Sequence, residues 1–222
     1  MEYYGPKPEK FTKKWWEYFW DYYKWHTIAV VAIIIAVVTT IVQVSNQTKY
    51  DGSFVCAGNV AFPLEFEEKF VSHIKTAVDD LDGDGEKNVL LEQLTFSKDD
   101  TDAQYLAAMR TKFDLKLQTN ESFAFIMDEE LLTQSLTNDA LEGCFVPLNE
   151  WLLEDISEES IYSINDIPYA VKLTDSKLLK EVGFPTNNFY AVLRYNYDEK
   201  NEEYIKQFEN AKKMLNAVAK EK

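Results

Sequence analysis

An uncharged stretch near the N-terminus constrains this chain more than any other feature. Residues Thr27–Thr48 contain no charged side chain, and Ile28–Val42 is apolar except for Thr39 and Thr40. A helix needs about 20 such residues to cross the hydrocarbon core of a bilayer. The abundant β-branched residues suit lipid, because there the backbone must satisfy its own hydrogen bonds by forming a helix. We therefore predict a transmembrane helix over residues 27–44.

The residues just before this span are rich in amphipathic aromatic side chains. The segment Trp15–His26 holds four Trp, three Tyr and Phe19. Rings of this kind concentrate at the headgroup level of membranes. A buried core helix would not account for an aromatic belt that ends where the charged residues end. We predict a membrane anchor that follows an aromatic and basic juxtamembrane segment, residues 1–26.

A cleaved secretory signal peptide is the main alternative to a permanent anchor. It would need a shorter apolar core and a small-residue cleavage site, and Gln43–Gln47 offers no good match. Basic residues near a span stay in the cytoplasm. Lys49 alone lies close behind this span, whereas five lysines precede it: Lys7, Lys10, Lys13, Lys14 and Lys24. We expect a single-pass protein of the cell membrane, with its N-terminus cytoplasmic and its C-terminal domain extracytoplasmic.

The predicted outer part is strongly acidic. Residues 1–26 carry a net charge of +1 and residues 45–222 a net charge of −16, which gives −15 for the whole chain. Such a surface repels nucleic acid, so we exclude nucleic acid as a partner. The outer part also has the length of one domain. We predict a polar stalk over residues 45–53 and an extracytoplasmic domain over residues 54–222.

Strand and helix patterns alternate along this domain. Apolar runs such as Val89–Phe96 and Ser122–Met127 are typical of buried strands, and Ala103–Gln118 and Glu202–Ala219 have helical patterns. Alternation of this kind implies a sheet with crossover connections. We predict an α/β fold: a single-lobe sheet flanked by helices, preceded by one N-terminal transmembrane helix.

The two cysteines leave two alternatives open. An oxidising compartment would permit one disulfide between Cys56 and Cys144. Both residues lie in apolar runs, which favours two buried free thiols. Two cysteines are in any case too few for a disulfide scaffold.

The sharpest local motif is the acidic loop Asp80–Asn88. Calcium prefers several oxygen ligands around a tight turn, which carboxylates at positions 1, 3 and 5 and a glycine at position 6 supply. The candidate ligands are Asp80, Asp82, Asp84, Glu86, Asn88 and Glu92. The loop departs from an EF-hand because Leu91 occupies position 12 and Glu92 comes one place late. We expect a structural calcium ion here; the alternative is an acidic, solvated turn.

Motifs of catalysis are missing from the sequence. It contains no G-x-S-x-G, H-E-x-x-H or C-x-x-C pattern and no glycine-rich phosphate loop. The two histidines, His26 and His73, have no evident metal or nucleophile partner. We predict that the protein is not an enzyme.

The segment Tyr105–Leu153 carries a family resemblance. It resembles type 2 extracellular solute-binding proteins, which run helix, strand, helix and then a loop of the form G-x-hydrophobic-x-x-Leu-Asp/Asn. Here AMRTKFDLKL, SFAFIMDEELLTQSL and GCFVPLNEWL follow in that order, with Gly143, Leu148 and Asn149 in the loop. Ile167–Leu173 resembles the strand by which that class returns to its core. The aromatic block and anchor resemble those of a set of uncharacterised Gram-positive membrane proteins.

The resemblance implies one lobe of such a binding protein and covers most of residues 50–222. Solute-binding proteins close two lobes over a ligand, and this chain is long enough for about one. We therefore expect a non-catalytic binding or interaction module, accessory to a transporter or other surface complex, with a protein partner in the membrane or cell envelope. The alternative is a solute receptor for a sugar or peptide, in which Trp151 and Tyr169 would line the pocket.

Overall fold

A computed structural model of the protein describes residues 9–45, 48–97, 102–137, 143–152 and 156–220. The chain divides into two compact units, Met1–Thr48 and Lys49–Lys222. The described part of the first unit contains one helix, and the second unit is an α/β domain with its own core.

The helix of the first unit, α1, runs over Lys13–Ser45. Its 33 residues give it a length of about 50 Å at the usual helical rise. The apolar part has a mean hydropathy of 2.4, and none of it is buried. The hydroxyl groups of Thr39 and Thr40 donate to the carbonyls of Ile35 and Ala36 at 2.9 and 2.8 Å, which hides the polar groups of this stretch within the helix. The predicted apolar helix is thus confirmed, and it is long enough to cross a membrane.

The second unit alternates strands and helices. Its described elements are β1 (Gly52–Gly58), α2 (Phe66–Ile74), β2 (Val89–Thr95), α3 (Ala103–Gln118), β3 (Ala124–Asp128), α4 (Glu129–Thr137), β4 (Ile161–Ile164), β5 (Ile167–Lys172), α5 (Lys177–Glu181), β6 (Phe189–Leu193) and α6 (Glu202–Ala219). The strands form one six-stranded sheet in the order β2-β1-β3-β6-β5-β4. The predicted α/β class is therefore confirmed.

The sheet carries helices on both faces. The first face packs against α2, α5 and α6, and the second against α3 and α4. This distribution follows from right-handed crossovers: β2 lies on one side of β1 and β3 on the other, so α2 and α3 must lie on opposite faces. Side chains of the central strands are buried on both faces, which explains their continuous apolar runs.

Three of the five strand pairings in the sheet are antiparallel, which the crossover pattern did not predict. β1 pairs in parallel with β2 and β3, but β6 runs antiparallel to β3, and β5 and β4 continue antiparallel. A two-residue turn joins β4 and β5, with φ of +53° at Asn165 and +63° at Asp166. Asn and Asp tolerate positive φ in the tight turns of hairpins.

The compact unit that contains the sheet begins at Lys49, inside the segment predicted as a stalk, residues 45–53. Asp51 is only 3% exposed and Gly52 is already part of β1. The last residues of the predicted stalk, 49–53, therefore belong to the compact unit, and residues 46–47 lie outside the described residues. A polar Asp-Gly pair resembles a linker, yet it is held here by partners distant in sequence.

Candidate functional site

The acidic loop Asp80–Asn88 connects α2 to β2 and turns around its first aspartate. The Asp80 carboxylate accepts the backbone N–H groups of Gly83 at 2.7 Å and Gly85 at 2.9 Å. Both glycines have positive φ, +76° and +87°, a conformation in which other residues are strained. The hydrogen bonds from Gly85 and Gly83 lower the pKa of Asp80. The loop is thus folded around a stabilised carboxylate, as its D-x-D-x-D-G pattern indicates.

Asp51, which the sequence analysis placed in the stalk, anchors both ends of this loop. Its two carboxylate oxygens accept the N–H groups of Leu81 and Asn88, each at 2.6 Å. Its own N–H donates to the carbonyl of Asn88 at 2.7 Å, and its carbonyl accepts from Nδ2 of Asn210 at 2.9 Å. Nothing in the local sequence signals this role, because the partners lie 30 or more positions away.

The structure brings together only part of the predicted ligand set. Carboxylate oxygens of Asp51, Asp80 and Asp82 lie within 4.8 Å of one another. The Asp84 carboxylate instead accepts the N–H of Glu86 at 2.7 Å. Each oxygen that accepts one N–H keeps a second lone pair, so the three clustered carboxylates retain the capacity to hold a cation.

Glu92 lies apart from this cluster, on β2. Its carboxylate contacts the ammonium groups of Lys112, at 2.9 Å, and Lys116. Burial alone would raise the pKa of Glu92, but hydrogen bonds from the two lysines outweigh it and lower the pKa. Glu92 therefore links β2 to α3, whereas the predicted ligands Asp80 and Asp82 lie in the carboxylate cluster that Asp51 completes.

Arg194 is a second buried polar anchor at the same edge of the sheet. Its side chain is fully buried; Nε donates to the carbonyl of Ser122 at 3.0 Å, and Nη2 donates to Oδ1 of Asn120 at 2.6 Å. The guanidinium lies 4.9 Å from the centre of the Phe123 ring and 5.0 Å from that of Tyr197. Burial lowers the pKa of Arg194 to about 10, so the side chain remains charged at neutral pH.

A polar crevice of about 590 Å³ lies at the opposite edge of the sheet. Asn59 follows the last residue of β1, and Asp128 is the last residue of β3. Phe189 begins the antiparallel β6 and pairs with Asp128. The crevice therefore lies at the carboxyl ends of β1 and β3, and we name it the carboxyl-edge crevice.

This edge is a topological switch point of the fold. β1 continues into α2 on the first face of the sheet, whereas β3 continues into α4 on the second face. In open α/β sheets, ligands bind outside the carboxyl ends of strands, where the connections diverge in this way. The position makes the carboxyl-edge crevice the strongest candidate binding site among the described residues.

Carboxylates and amides dominate the lining of the crevice. The lining residues are Asn59, Asp128, Glu129, Glu130, Thr133, Gln134, Asn187, Asn188 and Phe189. None of these described lining residues is Lys, Arg or His. The guanidinium of Arg110 donates to Oε1 of Gln134 at 2.8 Å and pairs with Asp114 at 3.2 Å. Arg110, which contacts the lining residue Gln134, is thus already paired with a carboxylate.

The floor of the crevice is held rigidly. Oδ2 of Asp128 accepts the N–H of Asn59 at 2.8 Å, and Oδ1 accepts the N–H of Leu131 at 2.9 Å. The second bond caps the N-terminus of α4. A Cβ atom at Gly58 would lie 2.8 Å from Cε1 of Phe189 and 3.0 Å from Oδ2 of Asp128. A larger residue where β1 ends would therefore displace the Phe189 ring or the Asp128 carboxylate.

A main-chain hydrogen bond joins two sides of the crevice rim. The N–H of Glu129 donates to the carbonyl of Asn188 at 3.0 Å, and Asn188 has a φ of +62°, which asparagine adopts more readily than most residues. Glu129 also has an electrostatic effect on the neighbouring core: burial raises the pKa of Tyr190, and the charge of Glu129 raises it further. The Glu129 and Glu130 side chains are exposed.

The aromatic residues considered for a solute pocket lie elsewhere. Trp151 is 2% exposed and packs in the core on the first face, with its carbonyl accepting from Nδ2 of Asn216 at 2.8 Å. Tyr169 is half-buried against the core on the second face. Neither residue lines the carboxyl-edge crevice.

The cysteines are two buried free thiols rather than a disulfide. Cys56 faces the core on the first face of the sheet and Cys144 the core on the second face. Burial raises the pKa of both thiols, to about 12 for Cys144. Nucleophilic cysteines require the thiolate form, which these surroundings disfavour.

No protein-family model, no curated protein and no solved structure matches this chain.

Proposed function

We propose that the protein is a single-pass membrane protein whose C-terminal α/β domain lies outside the cytoplasm and acts as a non-catalytic binding module. Its partner is a protein of the membrane or cell envelope, such as a transporter or another surface complex. The observation that carries this proposal is the apolar part of α1, none of which is buried. An exposed apolar surface of this length needs a non-aqueous environment.

The charge distribution supports the orientation of the anchor. Lysines near the N-terminal end of α1 favour a cytoplasmic location for that end, and the strongly acidic part of the chain then lies outside. Anchoring restricts the domain to the membrane plane, which raises its local concentration near a membrane-bound partner. Weak contacts therefore suffice for association.

The binding role is supported by the polar residues of the carboxyl-edge crevice. Both Asp128 oxygens accept backbone N–H groups, so this carboxylate orients the main chain. The two thiols are buried in the domain core, away from the crevice lining. These features favour recognition over covalent chemistry at this edge.

We also propose a structural cation, calcium by its preference for oxygen ligands, at Asp51, Asp80 and Asp82. The ion would join the acidic loop to the start of β1 and stabilise the domain. Added calcium should raise the unfolding temperature of the protein, and a chelator should reverse the rise. Asp82→Asn should abolish this response, whereas Glu92→Gln should retain it; an equal loss in both variants would remove the assignment to the cluster.

A second candidate function is a solute receptor for a sugar or peptide. The crevice volume of about 590 Å³ favours it, because small-molecule sites have volumes of this order. Thermal unfolding of the purified protein with sugars, amino acids and short peptides tests this candidate. A saturable rise in unfolding temperature with one ligand class would support the receptor function.

The test of the primary proposal is crosslinking of the full-length protein in its own membranes, followed by purification and identification of the crosslinked proteins. A chain of residues 1–48 alone is the matched control, because it keeps the anchor and lacks the domain. Repeated recovery of one membrane complex with the full chain and not with the control would support the proposal. Recovery of the protein alone would contradict it.

A further inference from the structure

We infer that the carboxyl-edge crevice binds a cationic side chain, lysine or arginine, of the partner protein. This inference rests on the proposed function and deepens it by naming the chemistry that the partner must present. It follows from the volume and position of the crevice, the charge of its described lining residues and the burial of Phe189.

The crevice has a size and place suited to a side chain with its adjoining backbone. Its volume of about 590 Å³ exceeds that of one side chain and lies within the usual range for binding sites. It opens at the diverging connections of β1 and β3, the usual binding position in open α/β sheets. The bonds from Asn59 and Leu131 to Asp128 hold its floor in place. A preorganised floor lowers the entropic cost of binding.

The lining selects for positive charge. The described lining includes three acidic residues, Asp128, Glu129 and Glu130, and no basic residue. Among the charged residues of this described lining, an anionic ligand would meet only like charge. The acidic character of the whole outer part, with its net charge of −16, adds a field that attracts basic partners.

The burial of the Phe189 ring argues against a sugar as the occupant of the crevice. Sugars commonly pack a C–H face against an exposed aromatic ring, but Phe189 is 5% exposed. Its ring instead lies 4.9 Å from that of Phe184, within the core. The side-chain amide oxygen of Asn187 then serves as an acceptor for the N–H groups of an ammonium or guanidinium.

The test uses the full chain in nanodiscs of phosphatidylcholine, a lipid without net charge. The probe is a fluorescent peptide of alternating lysine and glycine, and a peptide with glutamine in place of lysine is its neutral match. Binding is followed by fluorescence anisotropy at low and at physiological ionic strength, since salt screens exposed charges. We expect the lysine peptide to bind and the glutamine peptide not to bind.

Two double variants, each of which removes two negative charges, distinguish peptide binding in the crevice from binding to the acidic surface in general. Glu129→Gln/Glu130→Gln alters the crevice, and Glu158→Gln/Glu159→Gln alters an exposed pair that does not line it. We expect affinity to fall about tenfold in the first and less than about twofold in the second. Equal losses in the two double variants would overturn the inference.

Asn59→Lys provides an independent check, because it places a cation in the crevice and leaves both glutamates in place. It should abolish peptide binding while the protein keeps its unfolding temperature; retained binding would overturn the inference. Free lysine amide is the small-molecule arm of the experiment. If it displaces the peptide at the concentrations at which the peptide itself binds, the occupant is a solute, which overturns the assignment to a partner protein.

The inference and the proposed function fail in different experiments. If crosslinking in membranes recovers a partner complex while the lysine peptide does not bind, the cationic recognition is wrong and the interaction module stands. If the peptide binds as described but the protein crosslinks to nothing, the proposed function is wrong.

Discussion

The two edges of the sheet use acidic residues in opposite ways. At the amino ends of β1 and β2, Asp51 is buried and accepts two backbone N–H groups. At the carboxyl ends of β1 and β3, Glu129 and Glu130 are exposed beside a crevice. The first arrangement fixes the chain, and the second places two carboxylates at the surface. The burial of each carboxylate and the groups that it contacts, rather than the number of carboxylates, distinguish the structural edge from the edge that we propose to bind a partner.

The largest expected effect is at Asp51. Replacing it by alanine leaves the N–H groups of Leu81 and Asn88 without their acceptor, so we expect Asp51→Ala to lower the free energy of unfolding by about 3 kcal/mol. Urea unfolding followed by circular dichroism measures this loss. Asp84→Ala, which removes an exposed carboxylate of the same loop, should cost less than about 1 kcal/mol. Equal losses in the free energy of unfolding in the two variants would contradict the distinction between buried and exposed aspartates.

Arg194 offers the next largest effect at the structural edge. Arg194→Met removes the donors to Ser122 and Asn120, and we expect a loss of about 2 kcal/mol in the free energy of unfolding. Arg110→Met, at a partly exposed arginine, is the control and should cost under about 1 kcal/mol. A loss at Arg194 no greater than that of the control would show that the buried guanidinium does not join β3 to β6.

Glu92 makes a pH dependence testable. The pKa of Glu92 is lowered in the folded state. Its contribution to the free energy of unfolding is therefore complete above the pKa of the unfolded state, about 4.3, and is lost as the pH falls through the pKa of the folded state. We expect this contribution to be about 1 kcal/mol. Glu92→Gln should flatten the fall of the unfolding temperature between neutral and acidic pH. A profile parallel to that of the wild type would contradict the assigned ion pairs with Lys112 and Lys116.

The smallest effect is expected at the binding edge. Glu129→Gln/Glu130→Gln removes two exposed charges from the first turn of α4, where the helix dipole favours them only modestly. We expect a change of about 0.5 kcal/mol in the free energy of unfolding. A loss comparable to that of Asp51→Ala would mean that the crevice residues are structural, which would break the contrast between the edges.

Local sequence patterns predicted a helix or strand correctly where the residues that determine it lie in one short segment. The helical patterns over Ala103–Gln118 and Glu202–Ala219 correspond to α3 and α6. The apolar spacing lies within each segment, and the capping residues Asp102 and Asn201 immediately precede it. The edge strand β4 was missed: its four residues alternate in exposure and form no buried apolar run.

The candidate sites depended on contacts that local patterns do not contain. The acidic loop was visible from its spacing, but the buried Asp51 that completes its cluster comes from a segment resembling a linker. The crevice joins Asn59, Asp128 and Phe189 from three distant parts of the chain. Only the sheet order, which places β6 beside β3, brings these residues together.

The most direct test of the central claim is the topology of the full chain, carrying a C-terminal tag, in intact cells. Protease added outside should digest the tagged domain, while the undigested protein should remain with the membrane after alkaline extraction, because α1 stays as the anchor. Release into the medium of a fragment lacking α1 would show a cleaved signal sequence. Protection of the tag in intact cells would show that the domain is cytoplasmic, and either result would contradict an anchored extracytoplasmic binding module.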